Sequence, residues 1–233
     1  DLNIALANEL AALCDSLPYD LDILEIIRGA NSLKKGQHFV NFLTPSIGVG
    51  GYCLTKDPWF VSTLGEKNKR PLQLPRAGRS VNDGMPSYCA NRIIDMLSLN
   101  GRKIEDIKIA ILGYSFKTNS GDTRFTPMIK FAKALIDQGC NQITVFDSTI
   151  GLNEFMQEKL VRVYSWQECV EKADFVVFGA AHDDLISIPI NDLGELVNKN
   201  ATVFDGRRFF TREEVSILKK TGLNYMGVGR TFS

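Results

Sequence analysis

From residue 104 onward, short apolar runs alternate with helix-type segments, and this alternation limits the fold more than any other feature of the chain. DIKIAILGYS runs into Gly113, QITVFD ends in Asp147, DFVVFGA and ATVFDGR follow, and Leu223 to Val228 offers a last strand. Between them stand helix signatures: Thr126 as cap with Pro127 at the first position and Gly139 as stop, NDLGELVNK, and capping boxes at Ser165/Glu168 and Thr211/Glu214. Strands apolar on both faces must be covered on both faces. The spacing therefore predicts a doubly wound parallel sheet.

The first hundred residues read differently. DLNIALANELAALCDSL carries Leu2, Ala5, Leu6, Leu10, Leu13 and Leu17 at close to helical spacing and opens in mid-helix, which predicts a start further upstream. A short helix with Asp20 or Asp22 as cap presents Ile23, Ile26 and Ile27. Asp57-Pro58 predicts a helix over 58–67 with Asp57 as N-cap. A long helix follows from about Arg76 to Leu99, kinked at Pro86, with a stripe of Val81, Met85, Tyr88, Cys89, Ile93, Met96 and Leu97 that can pack internally or against a second copy. The fold class is α/β: an all-helical domain over 1–103, then a Rossmann-like domain over 104–233.

Composition narrows the function classes. Lys+Arg and Asp+Glu are 27 each, so a zero net charge argues against a general electrostatic grip on nucleic acid. No apolar run is long enough to cross a membrane. Five scattered cysteines, an odd count, predict reduced thiols in a cytoplasmic protein. With two histidines and neither CxxC nor HxxxH, no metal site is expected.

Chemistry concentrates in Asn41 to Pro58, NFLTPSIGVGGYCLTKDP. Gly48, Gly50 and Gly51 precede Cys53, and Lys56 and Asp57 follow it. Glycines let a ligand approach the main chain, while helix-terminal N–H groups and a nearby cation favour a thiolate. Cys53 is a candidate nucleophile; the alternative is a small residue filling a tight turn. In the second domain, ligands are expected beyond the carboxyl ends of the strands. There GYSFKTNSGDTR lacks GxGxxG but offers the Phe116 ring and the Lys117 cation, and DGRR offers Arg207. A base stacked on the ring with phosphates on the cations is one reading, and loop and surface residues are the other. His182 reads as a structural loop residue and Asp147 as a turn residue.

These residues resemble a known family. GVGGYCLTKDPW is similar to the catalytic-cysteine motif of the UDP-glucose/GDP-mannose 6-dehydrogenases, and NIALANEL, RSVNDGMP, GYSFKTNSGDTR and DGR agree in type and order. Within the family the cysteine loop most resembles the UDP-N-acetylhexosamine dehydrogenases, such as the UDP-N-acetylmannosamine and UDP-N-acetylglucosamine enzymes. The resemblance implies a parent of three parts: an NAD-binding Rossmann domain, a helical dimerisation domain and a UDP-sugar-binding domain, of which this chain matches the last two. It implies a double oxidation of the sugar C6 alcohol to a uronic acid with two NAD molecules. Cys53 would form the thiohemiacetal and thioester, and Asp57 would assist proton transfer to or from water. It also implies that Phe42 and Leu43 line the sugar pocket, that Gly50 and Gly51 let backbone approach the substrate, that Phe116 and Lys117 contact UDP, and that Arg207 reaches the nucleotide-sugar. NAD itself would be held by the part that is not matched, and a homodimer would form through the long helix.

Two departures stand against this. The family's active-site lysine and asparagine, four apart, would fall upstream of Asp1, so the chain alone is not expected to turn over. An arginine that reaches the neighbouring subunit's site is replaced by KKGQHF, with Gln37 or His38 near its place. Two alternatives remain open here: a non-catalytic nucleotide-sugar-binding or dimerisation module, and a cysteine-dependent acyl-transfer enzyme with His38 as base.

Overall fold

A computed structural model describes residues 1–32, 41–151 and 160–230; Gln37 and His38 lie outside them. The helical part comprises α1 (Leu2–Ser16), α2 (Ile23–Ala30), α3 (Tyr52–Lys67) and α4 (Leu74–Leu99). Asp22 caps α2, accepting from Leu24 N at 2.9 Å. The α3 boundary departs from expectation. The helix starts at Tyr52 after Gly51, and Asp57 and Pro58 lie inside it. Proline removes the N–H that Leu54 O would accept, and the buried Arg79 guanidinium donates to that oxygen instead at 3.2 Å. A side chain from α4 thus compensates for the proline, and no local propensity reports it.

The second half forms a six-stranded, wholly parallel sheet in the order β3-β2-β1-β4-β5-β6. Its strands are β1 (Lys108–Leu112), β2 (Gln142–Phe146), β3 (Val161–Arg162), β4 (Phe175–Phe178), β5 (Thr202–Asp205) and β6 (Asn224–Gly227). The order reverses between β1 and β4, the switch point of a doubly wound sheet. The two-residue β3 is too short to leave an apolar run. Helices α5 (Pro127–Asp137), α6 (Trp166–Val170), α7 (Asp183–Ile186), α8 (Ile190–Leu196) and α9 (Arg212–Lys220) connect the strands. The Thr211/Glu214 capping box is present. At Ser165 only half forms, because the Glu168 carboxylate takes the N–H of Tyr164 rather than that of the cap.

Alternation along the strands divides the core. Ile109, Ile111, Ile143, Val145, Val177 and Phe204 pack with α1, α2, α4 and α5, while Ala110, Leu112, Val176, Phe178 and Val203 pack with α6, α8 and α9. The hydrophobic core therefore runs without a break from the helical part onto one sheet face. Met85, Cys89, Ile93 and Leu97 of α4 are buried in it, so these members of the stripe take the internal packing that is one of its two readings. Exposed apolar side chains lie on α1, with Leu2, Leu6 and Leu13 each at least 43% exposed, and on α3, with Trp59, Phe60, Val61 and Leu64.

Candidate functional site

Three asparagines fix the segment that leads into α3. Asn3 of α1 accepts from Leu43 N and donates to Asn41 O, both at 2.8 Å. Asn8, fully buried, accepts from Ser46 N at 2.8 Å and is itself held by Asn82 of α4 at 2.9 Å. Asn31 brackets Phe42 through both its N–H and its carbonyl. Ile47 N donates to Gly206 O at the end of β5, and Gly51 N donates to Arg124 O. The cysteine loop is thus stitched to both halves of the molecule.

Two adjoining cavities result. One, of about 230 Å³, is walled by Leu43, Thr44, Pro45, Gly50, Phe116 and Arg207 among others. The other, of about 450 Å³, is walled by Cys53, Asp57, Pro58, Val61, Pro75 and the start of α1. Leu54 lines both. Because α3 begins at Tyr52, Cys53 stands in its first turn, where the N–H groups have no partner inside the helix and favour negative charge nearby. Asp57 is one turn further on, on the same face as Cys53. It is an interior helical residue and not the cap expected from Asp-Pro. Cys53 is exposed, and the other four cysteines are buried; burial pushes the Cys89 and Cys169 thiols up to about 12, which leaves Cys53 as the accessible sulfur. Lys56 pairs with Asp57 at 2.8 Å but lines a separate cavity with Tyr52, Trp59, Phe60 and Phe125.

The expected residues do not all converge. Leu43, Gly50, Phe116 and Arg207 share the smaller cavity. Phe42 packs against the hydrophobic core and is not among its walls. Lys117 is exposed on the same loop as Phe116. Gly51 is not among the walls of the smaller cavity. Its φ is +83°, and a Cβ there would lie 2.7 Å from the Phe116 ring; at Gly50 the distance to the Phe116 Cβ would be 2.4 Å. These glycines seat Phe116 against the cysteine loop on the side a Cβ would occupy, while Gly50 also walls the smaller cavity. Arg207 is half-buried. Burial lowers its pKa, while the neighbouring Asp205 carboxylate pulls it upward.

Asp147 is more than a turn residue. Its carboxylate accepts from Tyr114 N at 2.7 Å and Ser115 N at 2.9 Å, from Thr149 N and Oγ1, and from His182 Nε2 at 3.2 Å. Burial alone would raise its pKa, but the bonds from His182, Thr149 and the loop amides outweigh that and hold it well below the usual carboxylate range. The sign follows. A depressed native pKa contributes stability that is complete above the unfolded value of about 3.9 and lost as pH falls below it. Asp147→Asn is expected to lower stability at pH 6 and to lose less than the native chain between pH 6 and pH 3, as read by urea unfolding at both pH values. Equal losses in the two proteins would contradict the assignment.

The same carboxylate bears on cofactors. In a dinucleotide fold the turn after β1 offers its N–H groups to a pyrophosphate. Here two of them, from Tyr114 and Ser115, are occupied by Asp147, and the turn lacks the glycine fingerprint. The sheet's switch point does not fit NAD. Ser115, His182 and Asp147 also do not form a catalytic triad, because serine and aspartate meet the same ring nitrogen and all three are buried. Among the described residues no group of His, Cys, Asp and Glu is arranged to hold a metal ion, and no helix is long and apolar enough to cross a membrane.

Residues 1–84 match the central domain, and residues 110–212 the UDP binding domain, of the UDP-glucose/GDP-mannose dehydrogenase family. The chain belongs to that family. Among curated relatives, the UDP-N-acetyl-D-mannosamine dehydrogenase of Methanococcus maripaludis is 34% identical over 231 residues, 98% of this chain and 49% of the relative. The enzyme of the same name from Pyrococcus horikoshii is 30% identical over 230 residues, again covering 49% of the relative. The chain spans about half the length of these relatives. Among solved structures, NDP-N-acetyl-D-galactosaminuronic acid dehydrogenase from Methanosarcina mazei Go1 superposes with a TM-score of 0.86 at 27% identity, covering 98% of this chain and 48% of that one. The P. horikoshii UDP-D-ManNAc dehydrogenase structure superposes at 0.80 and 29% identity, covering 98% and 49%. The two family domains meet between residues 84 and 110, around the end of α4.

Proposed function

We propose that this chain is the nucleotide-sugar-binding and nucleophile-bearing part of a UDP-sugar 6-dehydrogenase that oxidises a UDP-N-acetylhexosamine at C6. The observation that carries the reading is the junction of two cavities at Leu54: one walled by Phe116 and Arg207, the other by Cys53 and Asp57. The smaller cavity takes the nucleotide, with the Phe116 ring as a stacking surface and Arg207 and Lys117 as cations for the diphosphate. The larger takes the sugar, placing C6 at the sulfur. The C6 alcohol is first oxidised to the aldehyde, losing its proton and a hydride to an acceptor outside these residues, and Cys53 then adds to the aldehyde to give a thiohemiacetal. Oxidation of that adduct leaves a thioester, with the hydride departing to an acceptor outside these residues, and water releases the acid and the free thiol. Asp57, on the same helix face, receives or returns the proton of that water.

NAD as the hydride acceptor is implied by the family. Since the switch point of this sheet does not fit it, its binding is assigned to sequence beyond this chain, consistent with a span of about half the relatives' length. A homodimer through the helical domain, which the family implies, is proposed, and a cytoplasmic location through the reduced-thiol composition. The alternative of a nucleotide-sugar-binding module without chemistry fits the same cavity and describes the chain in isolation. The acyl-transfer reading gains no support: His182 is buried away from Cys53, and His38 lies outside the described residues.

Lys117→Ala is expected to weaken UDP binding several-fold, the size of one charge-assisted contact to phosphate, with the unfolding midpoint unchanged because Lys117 is exposed. Isothermal titration with UDP measures it. An unaltered affinity returns Lys117 to the solvated surface.

A further inference from the structure

We propose that His182 is a positioning residue for the nucleotide loop, acting through Ser115 and Asn119 to hold Phe116 and Lys117 in their binding conformation. The inference rests on the reading of Phe116 and Lys117 as nucleotide contacts and extends it to a side chain that touches neither ligand nor sulfur.

His182 is fully buried where the chain leaves β4, across the switch point from the loop that follows β1. It grips that loop at two places. Its Nε2 lies 3.0 Å from Ser115 Oγ, one residue before Phe116. Its Nδ1 accepts from Asn119 N at 2.8 Å, two residues after Lys117. An N–H donated to Nδ1 places the ring proton on Nε2, where Ser115 Oγ and Asp147 Oδ2 both stand within reach. Asp147 in turn accepts from the amides of Tyr114 and Ser115, so one ring ties both ends of the loop to its floor. Asn119 needs such a tie. Its φ is +52°, in the left-handed region that costs a non-glycine residue free energy. Its side chain adds a reciprocal pair with Asp183, donating to Oδ2 at 2.8 Å and accepting from Asp183 N at 3.0 Å. The five residues from Ser115 to Asn119, which include the ring and the cation, are thereby fixed at both ends by the short segment 182–183.

A binding loop ordered before the ligand arrives does not lose that ordering entropy on binding. A space-filling role for His182 predicts that a buried apolar substitute keeps UDP affinity; a positioning role predicts that it does not, and that a substitute restoring the acceptor does.

The test is isothermal titration of UDP into four variants, with thermal unfolding of each. His182→Leu is expected to weaken UDP at least tenfold. His182→Asn, whose side-chain oxygen stands near the place of Nδ1, is expected to bind within about threefold of the native chain. Ser115→Ala, a smaller change that serves if the leucine variant does not fold, is expected to lose three- to fivefold with little change in melting. Phe116→Ala is the control for the underlying reading. Native affinity in His182→Leu or in a folded Ser115→Ala, together with loss in Phe116→Ala, overturns the positioning role alone. Native affinity in all four overturns the nucleotide assignment of the loop as well. An asparagine variant that folds and binds as poorly as the leucine variant also overturns the positioning role.

Discussion

Replacing Cys53 with alanine in the full-length protein is expected to cut acid formation at least about a thousandfold, the scale on which loss of a nucleophile acts, while UDP-sugar affinity stays within about threefold. The split follows from the geometry. Cys53 walls the larger cavity and is not among the walls of the smaller one, where Phe116 and Arg207 stand. Its side chain is exposed at the start of α3, so its loss opens no core cavity. Product assay and calorimetry on one preparation check both halves. Undiminished turnover would remove the nucleophile, and loss of binding alongside activity would show that the sulfur sits in the nucleotide contact instead.

Asp22→Ala is expected to destabilise the chain by roughly 3–5 kcal/mol, the cost of leaving buried charge without its partner. Asp22 is nearly buried and meets two buried guanidiniums: Arg208 Nη2 on Oδ1 and Arg230 Nε on Oδ2 at 3.1 Å. Arg208 also donates to Tyr225 OH at 2.8 Å and holds a left-handed φ of +59°. Removing the carboxylate therefore loosens α2 from the turn after β5, and that turn carries Arg207. UDP affinity should fall together with stability. Asp22→Asn keeps the acceptor for Leu24 N and the size of the side chain, and should lose less. Urea unfolding reads the difference; a loss under about 1 kcal/mol in the alanine variant would mean that water replaces the carboxylate and that the clasp is not buried in solution.

The sheet was legible because each central strand is apolar on both faces and each connecting helix carries its own start signal, as at Thr126-Pro127 and Thr211/Glu214. The start of α3 was not legible. Asp57-Pro58 has the local chemistry of a helix start, yet Arg79, distant in sequence, supplies the donor that lets the helix run through the proline. The site divides in the same way. Phe116 and Arg207 stand out by residue type in loops beyond the strand ends, and Cys53 stands out behind its run of glycines. Asn3, Asn8 and Asn31, which hold the cysteine loop, do not. The only trace they leave is a polar residue in or beside an apolar helix, as Asn8 leaves in NIALANEL, and the loop it will hold lies nearly forty residues further on. Likewise Asp147 and His182 read as turn and loop residues because their partners come from three separate crossovers. The glycines show a different limit. Their positions marked a close approach, but not that Phe116 makes it.

The central claim is a nucleotide-sugar site next to Cys53, and titration of this chain with UDP, UDP-glucose and UDP-N-acetylhexosamines, with NAD as control, tests it most directly. The account predicts saturable binding of UDP and of the UDP-sugars, weakened by Phe116→Ala, and no binding of NAD. A folded chain that binds NAD, or that binds neither UDP nor any UDP-sugar, would contradict it.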